Sequence, residues 1–201
     1  MTSLLRLDTS LFSGQGVSTQ LSDELLNQLK NTTPELKIVH RNFAEQPIPH
    51  LDGEWLQALM TPEEKRNSEQ QQKVDFSDQL IGELQDADTI IIGLPMYNFS
   101  IPSMLKAWFD HVARAGTTFK YTSTGSEGLL NNKKVYLVTT RGGVHKDQPS
   151  DTQMPFVKTF LAFLGLTNVE TIYAEGLNMG DEMRNAGIDS AKQVIEALAL
   201  A

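Results

Sequence analysis

Three short segments of the chain combine residue types that suit a phosphorylated, flat ligand. The first, residues 10–19, places Gly14 and Gly16 among serine and threonine hydroxyls just before a predicted helix. Free N–H groups and the dipole at a helix start favour an anion, so a phosphate needs no positive side chain there. The segment matches neither GxGxxG nor GxxxxGK[ST]. An ordinary turn with Ser18 as the helix cap is the alternative explanation.

The second segment, residues 95–102, follows an apolar run and contains Met96, Tyr97, Asn98 and Phe99. Apolar and aromatic side chains supply a surface for a flat ring, and the Asn98 amide both donates and accepts hydrogen bonds at a ring edge. A turn packed by two aromatic side chains explains the same residues equally well.

The third segment contains Thr140, Arg141, Gly142, Gly143 and His145. Paired glycines let backbone N–H groups approach a ligand closely, where they would stabilise negative charge that develops on a reduced ring. Turn geometry alone also accounts for two glycines. His145 is a candidate to donate a hydrogen bond or a proton, although a lone loop histidine is more often only solvated. We identify no side-chain nucleophile, catalytic triad or metal-ligand spacing.

A parallel β-sheet would bring these three segments together. The pattern predicts strands at residues 4–9, 36–41, 89–95, 135–140 and 169–174, with helices after Ser18, from Pro102 to Gly116, from Phe156 to Gly165 and from Ile188 to Leu198. Strands that alternate with helices indicate a three-layer α/β fold, with a flavodoxin-like sheet order of 2-1-3-4-5, in which ligands bind beyond the carboxyl ends of the strands. We expect a single domain over residues 1–201.

Three features fit this plan less simply. Arg6 interrupts the first strand, where a charged side chain is awkward between two covering layers. Residues 43–69 form a long connection with Trp55 and two prolines, and residues 117–132 are predicted to form a hairpin or loop.

Composition excludes several classes of function. The 201 residues contain no cysteine, so disulfides and thiolate chemistry are excluded and any redox chemistry must come from a bound cofactor. A net charge of -8 argues against nucleic-acid binding. The N-terminus lacks the pattern of a signal peptide, and the longest apolar run, residues 90–95, is too short to cross a bilayer. We expect a cytoplasmic protein without a membrane partner.

Four segments resemble bacterial FMN-dependent NADH-azoreductases of the flavodoxin-like quinone reductase superfamily. They are residues 95–99, 111–116, 118–121 and 141–145, which occur in the same order and with compatible spacing. The resemblance implies FMN as cofactor, NADH or NADPH as donor, an azo compound or quinone as acceptor, and a ping-pong order. It also implies a homodimer with two FMN sites near the interface.

The resemblance also assigns residues to the parts of the ligands. The phosphate end of FMN would contact Ser10, Gly16, Val17 and Ser18. The ring and ribityl chain would contact Met96, Tyr97, Asn98 and Phe99. The ring edge would be covered by Thr140, Arg141, Gly142 and Gly143. Phe119, Tyr121 and Phe163 would lie near the flavin face and stack on a planar acceptor. Thr140 stands where the family has serine, and Val17 where it has a polar residue.

Two other functions share parts of this pattern. A flavodoxin-type electron carrier would have the same fold and FMN but no small-molecule turnover. A flavin-free α/β regulatory protein would have the fold alone. The resemblance and the two long connections favour an enzyme, and the choice between NADH and NADPH stays open.

Overall fold

The computed structural model describes residues 2–131 and 133–198. In chain order, its elements are β1 (Ser3–Asp8), α1 (Val17–Thr32), β2 (Lys37–Asn42), α2 (Gly53–Met60), α3 (Ser68–Asp86), β3 (Thr89–Pro95), α4 (Ser103–Val112), β4 (Phe119–Thr122), β5 (Gly125–Gly128), β6 (Lys134–Thr140), α5 (Gln153–Phe163), β7 (Asn168–Ala174) and α6 (Asp181–Leu198). Short 3-10 turns occur at Ser13–Gln15 and Glu63–Lys65.

The central sheet contains five parallel strands in the order β2-β1-β3-β6-β7. One row of paired residues crosses it through Val39, Leu5, Ile90, Val135 and Val169. The predicted fold and strand order are therefore confirmed. Strands are added on one side of β1 to give β2 and on its other side from β3 onward, so the strand order reverses between β1 and β3. At such a point open α/β sheets form a ligand crevice at their carboxyl edge.

Helices cover both faces of the sheet because successive strand residues point to opposite sides. Ile91 belongs to the apolar cluster with α1 and α6, whereas Ile90 and Ile92 belong to the cluster with α3, α4 and α5. Burial on both faces explains why β3 is a continuous apolar run rather than an alternating one.

Arg6 is accommodated in β1 by acidic partners on the α1 side. Its guanidinium contacts both oxygens of Asp8, at 3.0 and 2.8 Å, and reaches Asp23 of α1 at 2.5 Å. It also donates to the backbone carbonyl of Thr19. A buried charge requires such pairing, so Arg6 joins β1 to α1 rather than disrupting the strand.

The connection after β2 is more ordered than the sequence suggested. Asp52 caps α2 by accepting the backbone N–H groups of Glu54 and Trp55, and Asn67 forms a capping box with Gln70 at the start of α3. Helix α3 is absent from the sequence-based prediction. The segment 117–132 contains the β4–β5 hairpin, as expected. Helix α4 ends at Val112, before the predicted stop at Gly116.

Candidate active site

Loops after β1, β3, β6 and β7 surround one cleft of about 320 Å³ at the carboxyl edge of the sheet. The cleft is lined by Ser10, Phe12, Gln15, Gly16, Val17, Ser18, Pro95, Met96, Tyr97, Thr140, Arg141, Gly142, Leu177, Asn178 and Arg184. A second cavity shares Met96, Gly142 and Asn178 with it and adds Asn98, Phe99, Gly143 and His145. All twelve residues predicted to bind the cofactor therefore line one of two adjoining cavities.

The loop after β1 is built around Gly16. This residue, not Ser18, caps α1, because its carbonyl accepts the N–H of Gln20 at 3.0 Å. The expectation of a Ser18 cap was wrong by two residues. A Cβ atom on Gly16 would lie 2.2 Å from the Ser10 hydroxyl oxygen, so the loop closes only with glycine at this position. The first N–H groups of α1 consequently face the cleft end that Ser10 lines.

Ser18 carries an unsatisfied polar atom at that end. Ser18 is 1 % exposed, and its hydroxyl oxygen has no hydrogen-bond partner among the described residues. Buried hydroxyl groups are nearly always hydrogen-bonded. A ligand that accepts a hydrogen bond beside the start of α1 would satisfy this group.

The loop after β3 makes a tight turn that presents Asn98 and Phe99. Tyr97 and Ser100 exchange backbone hydrogen bonds of 3.0 Å, while Asn98 and Phe99 adopt φ angles of 50° and 65°. Asparagine tolerates this left-handed region, but phenylalanine rarely adopts it. Such strain persists where surrounding contacts fix the backbone. Here Gln153, which is fully buried, donates to the carbonyls of Pro95 and Ser100.

Tyr97 joins the first two loops. Its hydroxyl oxygen accepts the backbone N–H of Leu11 at 3.2 Å. The loops after β1 and β3 therefore hold each other in place across the crevice.

The loop after β6 lies against the loop after β7. A Cβ atom on Gly142 would lie 2.6 Å from the side-chain nitrogen of Asn178. The carbonyls of Gly142 and Gly143 accept the N–H groups of Asn178 and Gly176. The N–H groups of the two glycines donate to no other described residue. This loop thus offers two free backbone donors beside the cleft.

Arg141 contributes its backbone to the cleft, but its side chain is directed elsewhere. The fully buried guanidinium pairs with both oxygens of Asp151, at 2.9 and 3.0 Å, and with Glu175 at 3.2 Å. It also lies 5.0 Å from the ring centre of Tyr173. The side chain is thus buried beneath the loop against these partners, and any contact with a ligand would come from its backbone.

His145 lines the second cavity and is fixed on two sides. Its backbone N–H donates to Glu175 at 2.8 Å, and its Nδ1 lies 2.9 Å from the Ser150 hydroxyl. The imidazole also makes an edge contact with Phe99, at 5.7 Å between ring centres. The structure therefore places His145 beside the predicted ring-binding residues.

The three predicted acceptor residues do not line the cleft within one chain. Phe119 is 6 % exposed and packs 4.3 Å from Phe163, whereas Tyr121 is 77 % exposed. Helix α5 begins beside the carboxyl edge, where Gln153 contacts Pro95, and its eleven residues carry the chain about 16 Å away. Phe163, at the far end of α5, is therefore distant from the cleft.

Sequence reasoning missed the fourth side of the site. Leu177 and Asn178 follow β7, and Arg184 lies in the first turns of α6. Glycines at 176 and 180, both with positive φ, mark a loop at the carboxyl end of β7 and were an available signal. No local sequence pattern indicated that Asp151 and Glu175 would pair with Arg141.

Within the ranges that the structure covers, no three His, Cys, Asp or Glu side chains are grouped to hold a metal ion. None of the helices described there is long and apolar enough to cross a membrane.

Comparisons with known proteins agree with this arrangement. A family described as having a flavodoxin-like fold matches residues 2–199. An FMN-dependent NADH:quinone oxidoreductase of Cellvibrio japonicus is 51 % identical over 196 residues, which are 98 % of each chain. This chain belongs to that family of FMN-dependent oxidoreductases. A protein of the same name from Saccharophagus degradans is 52 % identical, with 97 % of this chain and 92 % of that one covered.

Solved structures of azoreductases share the architecture. An azoreductase from Bacillus anthracis str. Sterne is 28 % identical, with a TM-score of 0.86 over 98 % of this chain and 100 % of that chain. An FMN-dependent NADH-azoreductase from Bacillus anthracis str. Ames Ancestor, solved in complex with FMN, has a TM-score of 0.88 at 24 % identity over 99 % and 100 % of the two chains. The second comparison supports the fold.

Proposed function

We propose that the chain binds one FMN in the cleft and is an NADH:quinone oxidoreductase that also accepts azo compounds. The observation that carries this proposal is the cleft itself, where an anion-binding helix start and a loop with free N–H donors lie at the sheet edge that β1, β3 and β6 share. Family membership supports the same assignment.

The phosphate end fits the residues around the start of α1. Ser18 has a buried hydroxyl without a partner, and the Gly16 position has no room for a Cβ atom. Together with the first N–H groups of α1, they suit a terminal monophosphate. Ser10 and Val17 complete this end of the cleft.

The ring end fits the turn at 97–100 and the loop at 140–143. Tyr97, Asn98 and Phe99 supply a surface and an amide edge, and Met96 lines both cavities. The free N–H groups of Gly142 and Gly143 would stabilise negative charge there. When bound, FMN accepts hydride from a reduced nicotinamide and supplies two electrons to the acceptor.

His145 is the side chain best placed to hold a proton near the acceptor. Its Nδ1 faces the Ser150 hydroxyl, and its Nε2 lies on the Gly143 side of the second cavity. A hydrogen bond from Ser150 to Nδ1 leaves the proton of the neutral imidazole on Nε2. We therefore assign His145 as a hydrogen-bond or proton donor to the acceptor.

A shared cleft for donor and acceptor supports a ping-pong order. The two cavities adjoin and share three lining residues. A nicotinamide and a quinone that stack on the same bound ring would exclude each other. NADH and NADPH should be compared directly as electron donors.

We also propose a homodimer in which the β4–β5 hairpin contributes to the acceptor site. Tyr121 is an exposed aromatic residue on this hairpin, and Phe156 is an exposed apolar residue beside the groove formed by Ile101 and Ala107. Residues 43–69, with Trp55, would wall the same interface. Sedimentation should show a dimer at micromolar concentration, and a fully active monomer would contradict the proposal.

Purified protein tests the function directly. Flavin released by denaturation should be FMN, and the protein should oxidise NADH with quinones and with azo dyes. Protein that binds FMN but turns over neither acceptor would be an electron carrier instead. The cytoplasmic location expected from the sequence stays a prediction, to be tested by cell fractionation.

A further inference from the structure

Arg184 lines the same cleft as the end of the β1 loop. It is half-buried in the first turns of α6, and Gly16, Val17 and Ser18 line the same cavity. One guanidinium nitrogen, Nη1, donates to the carbonyl of Leu177 at 3.2 Å. No carboxylate among the described residues forms a salt bridge with it.

The packing of α6 against α1 places Arg184 at the start of α1. Both helices lie on the same face of the sheet and both begin near its carboxyl edge. Lys192 of α6 pairs with Glu24 of α1 at 2.8 Å. Arg184 precedes Lys192 by eight residues in α6, and Gly16 precedes Glu24 by eight residues at the start of α1. Each therefore lies roughly 12 Å from this ion pair, toward the cleft. The backbone of Arg184 is therefore level with the start of α1, and Arg184 lines the cleft there.

Arg184 differs from the other arginine that lines the cleft in having no carboxylate partner among the described residues. Arg141, the other cation among the described lining residues, is already paired with Asp151 and Glu175. Ser18 lines the same end of the cleft, and its buried hydroxyl lacks a partner, which supports a hydrogen-bonding ligand there. An arginine beside free N–H groups is well suited to phosphate because its planar fork binds two oxygens at once.

We propose that Arg184 pairs with the monophosphate of the flavin and makes the cleft selective for FMN over riboflavin. This inference rests on the proposed function. From the sequence, we expected backbone N–H groups to hold the phosphate without a positive side chain. Arg184 would add a charged partner at that end of the site. It also links α6 to cofactor binding, since the same guanidinium holds the Leu177 carbonyl.

The test compares the binding of two flavins to apoprotein by fluorescence quenching. Arg184→Gln should weaken FMN binding about tenfold, on the order of 1.4 kcal/mol, and leave riboflavin binding unchanged. Arg184→Lys should lose less, because it keeps the charge. Lys30→Gln, which removes an exposed cation at the opposite end of α1, should match the wild type.

Salt provides a second readout. The affinity of the wild type for FMN should fall between low and high ionic strength more steeply than that of Arg184→Gln, because the variant lacks the ion pair. Unchanged FMN affinity in Arg184→Gln would overturn the inference and leave the proposed function intact. Equal losses for FMN and riboflavin would show a structural role and also overturn it. Wild-type protein that binds no FMN would overturn the proposed function with it.

Discussion

Glu175 and Arg141 form a buried ion pair beneath the cleft, with Oε1 and Nη1 3.2 Å apart. The same Glu175 oxygen accepts the backbone N–H groups of His145 and Lys146, at 2.8 and 2.9 Å. One carboxylate at the end of β7 thus fixes both the arginine that supports the β6 loop and the backbone that carries His145.

Removal of the Glu175 side chain should destabilise the apoprotein substantially. Glu175→Ala leaves a buried guanidinium with Asp151 as its one carboxylate partner and two N–H groups without an acceptor, so we expect a loss of roughly 2–3 kcal/mol in urea unfolding. Glu175→Gln should lose less, because its carbonyl still accepts hydrogen bonds. Glu127→Ala, which breaks an exposed pair with Lys120, is the control and should change stability by under about 0.5 kcal/mol. Equal stabilities of the two alanine variants would contradict this role.

Ser18 and Ser22 form a matched pair for the phosphate end. Both hydroxyls are buried and without partners, but Ser18 alone of the two lines the cleft. Ser18→Ala should weaken FMN binding about fivefold, the scale of one hydrogen bond, and should not destabilise the apoprotein. Ser18→Asp should weaken binding more, because a carboxylate repels the phosphate. Ser22→Ala should leave FMN affinity unchanged. If titration shows equal affinity for the wild type and Ser18→Asp, the phosphate binds elsewhere.

Gly16 and Gly14 test the shape of the same loop. A Cβ atom on Gly16 would approach the Cβ of Ser10 to 2.7 Å and its hydroxyl to 2.2 Å, whereas a Cβ atom on Gly14 meets nothing within 4 Å. Gly16→Ala should therefore displace Ser10 and lower FMN affinity at least about tenfold, or 1.4 kcal/mol. Gly14→Ala should bind like the wild type. The same flavin titration decides, and equal affinities for both variants would refute the close approach.

His111 should make stability fall in mild acid. Its side chain is fully buried against Trp55 and Phe76, Nε2 donates to the Pro49 carbonyl at 2.9 Å, and Nδ1 has no partner among the described residues. Burial lowers the pKa of His111 below its ordinary value of 6.5, against smaller opposing effects of the Pro49 carbonyl and Asp110.

The direction of this change in stability follows from proton uptake by His111. Below pH 6.5 the unfolded chain protonates His111 before the folded chain does, so stability is lost as pH falls from 6.5 toward the lowered pKa. Thermal unfolding of His111→Gln should show a shallower loss over this range, while exposed His50→Gln should keep the wild-type slope. Identical slopes for His111→Gln and the wild type would show that His111 does not cause the loss.

The sheet and its order could be predicted because strand patterns are local. The β-branched run of β3 and the alternation of strands with helices sufficed. Helix α3 was missed because its buried residues Val74, Leu80, Ile81 and Leu84, although spaced as on one face of a helix, lie in a strongly polar segment. Its capping box at Asn67 was the available signal.

The site was predictable where it depends on strand ends and not where it depends on distant partners. Residues after β1, β3 and β6 converge because parallel strands end at one edge. The burial of Arg141 depends on Glu175, 34 residues away, and the position of Arg184 depends on how α6 packs against α1. Phe163 was assigned by resemblance, and the length of α5 carries it away from the cleft of its own chain.

Anaerobic stopped-flow spectroscopy of the FMN-reconstituted protein tests the central claim most directly. Mixing with NADH alone should bleach the flavin absorbance in one phase, and a second mixing with a quinone should restore it, each at a rate consistent with steady-state turnover. Protein that fails to bind FMN, or whose bound flavin is not reduced by NADH until the quinone is present, would contradict the account.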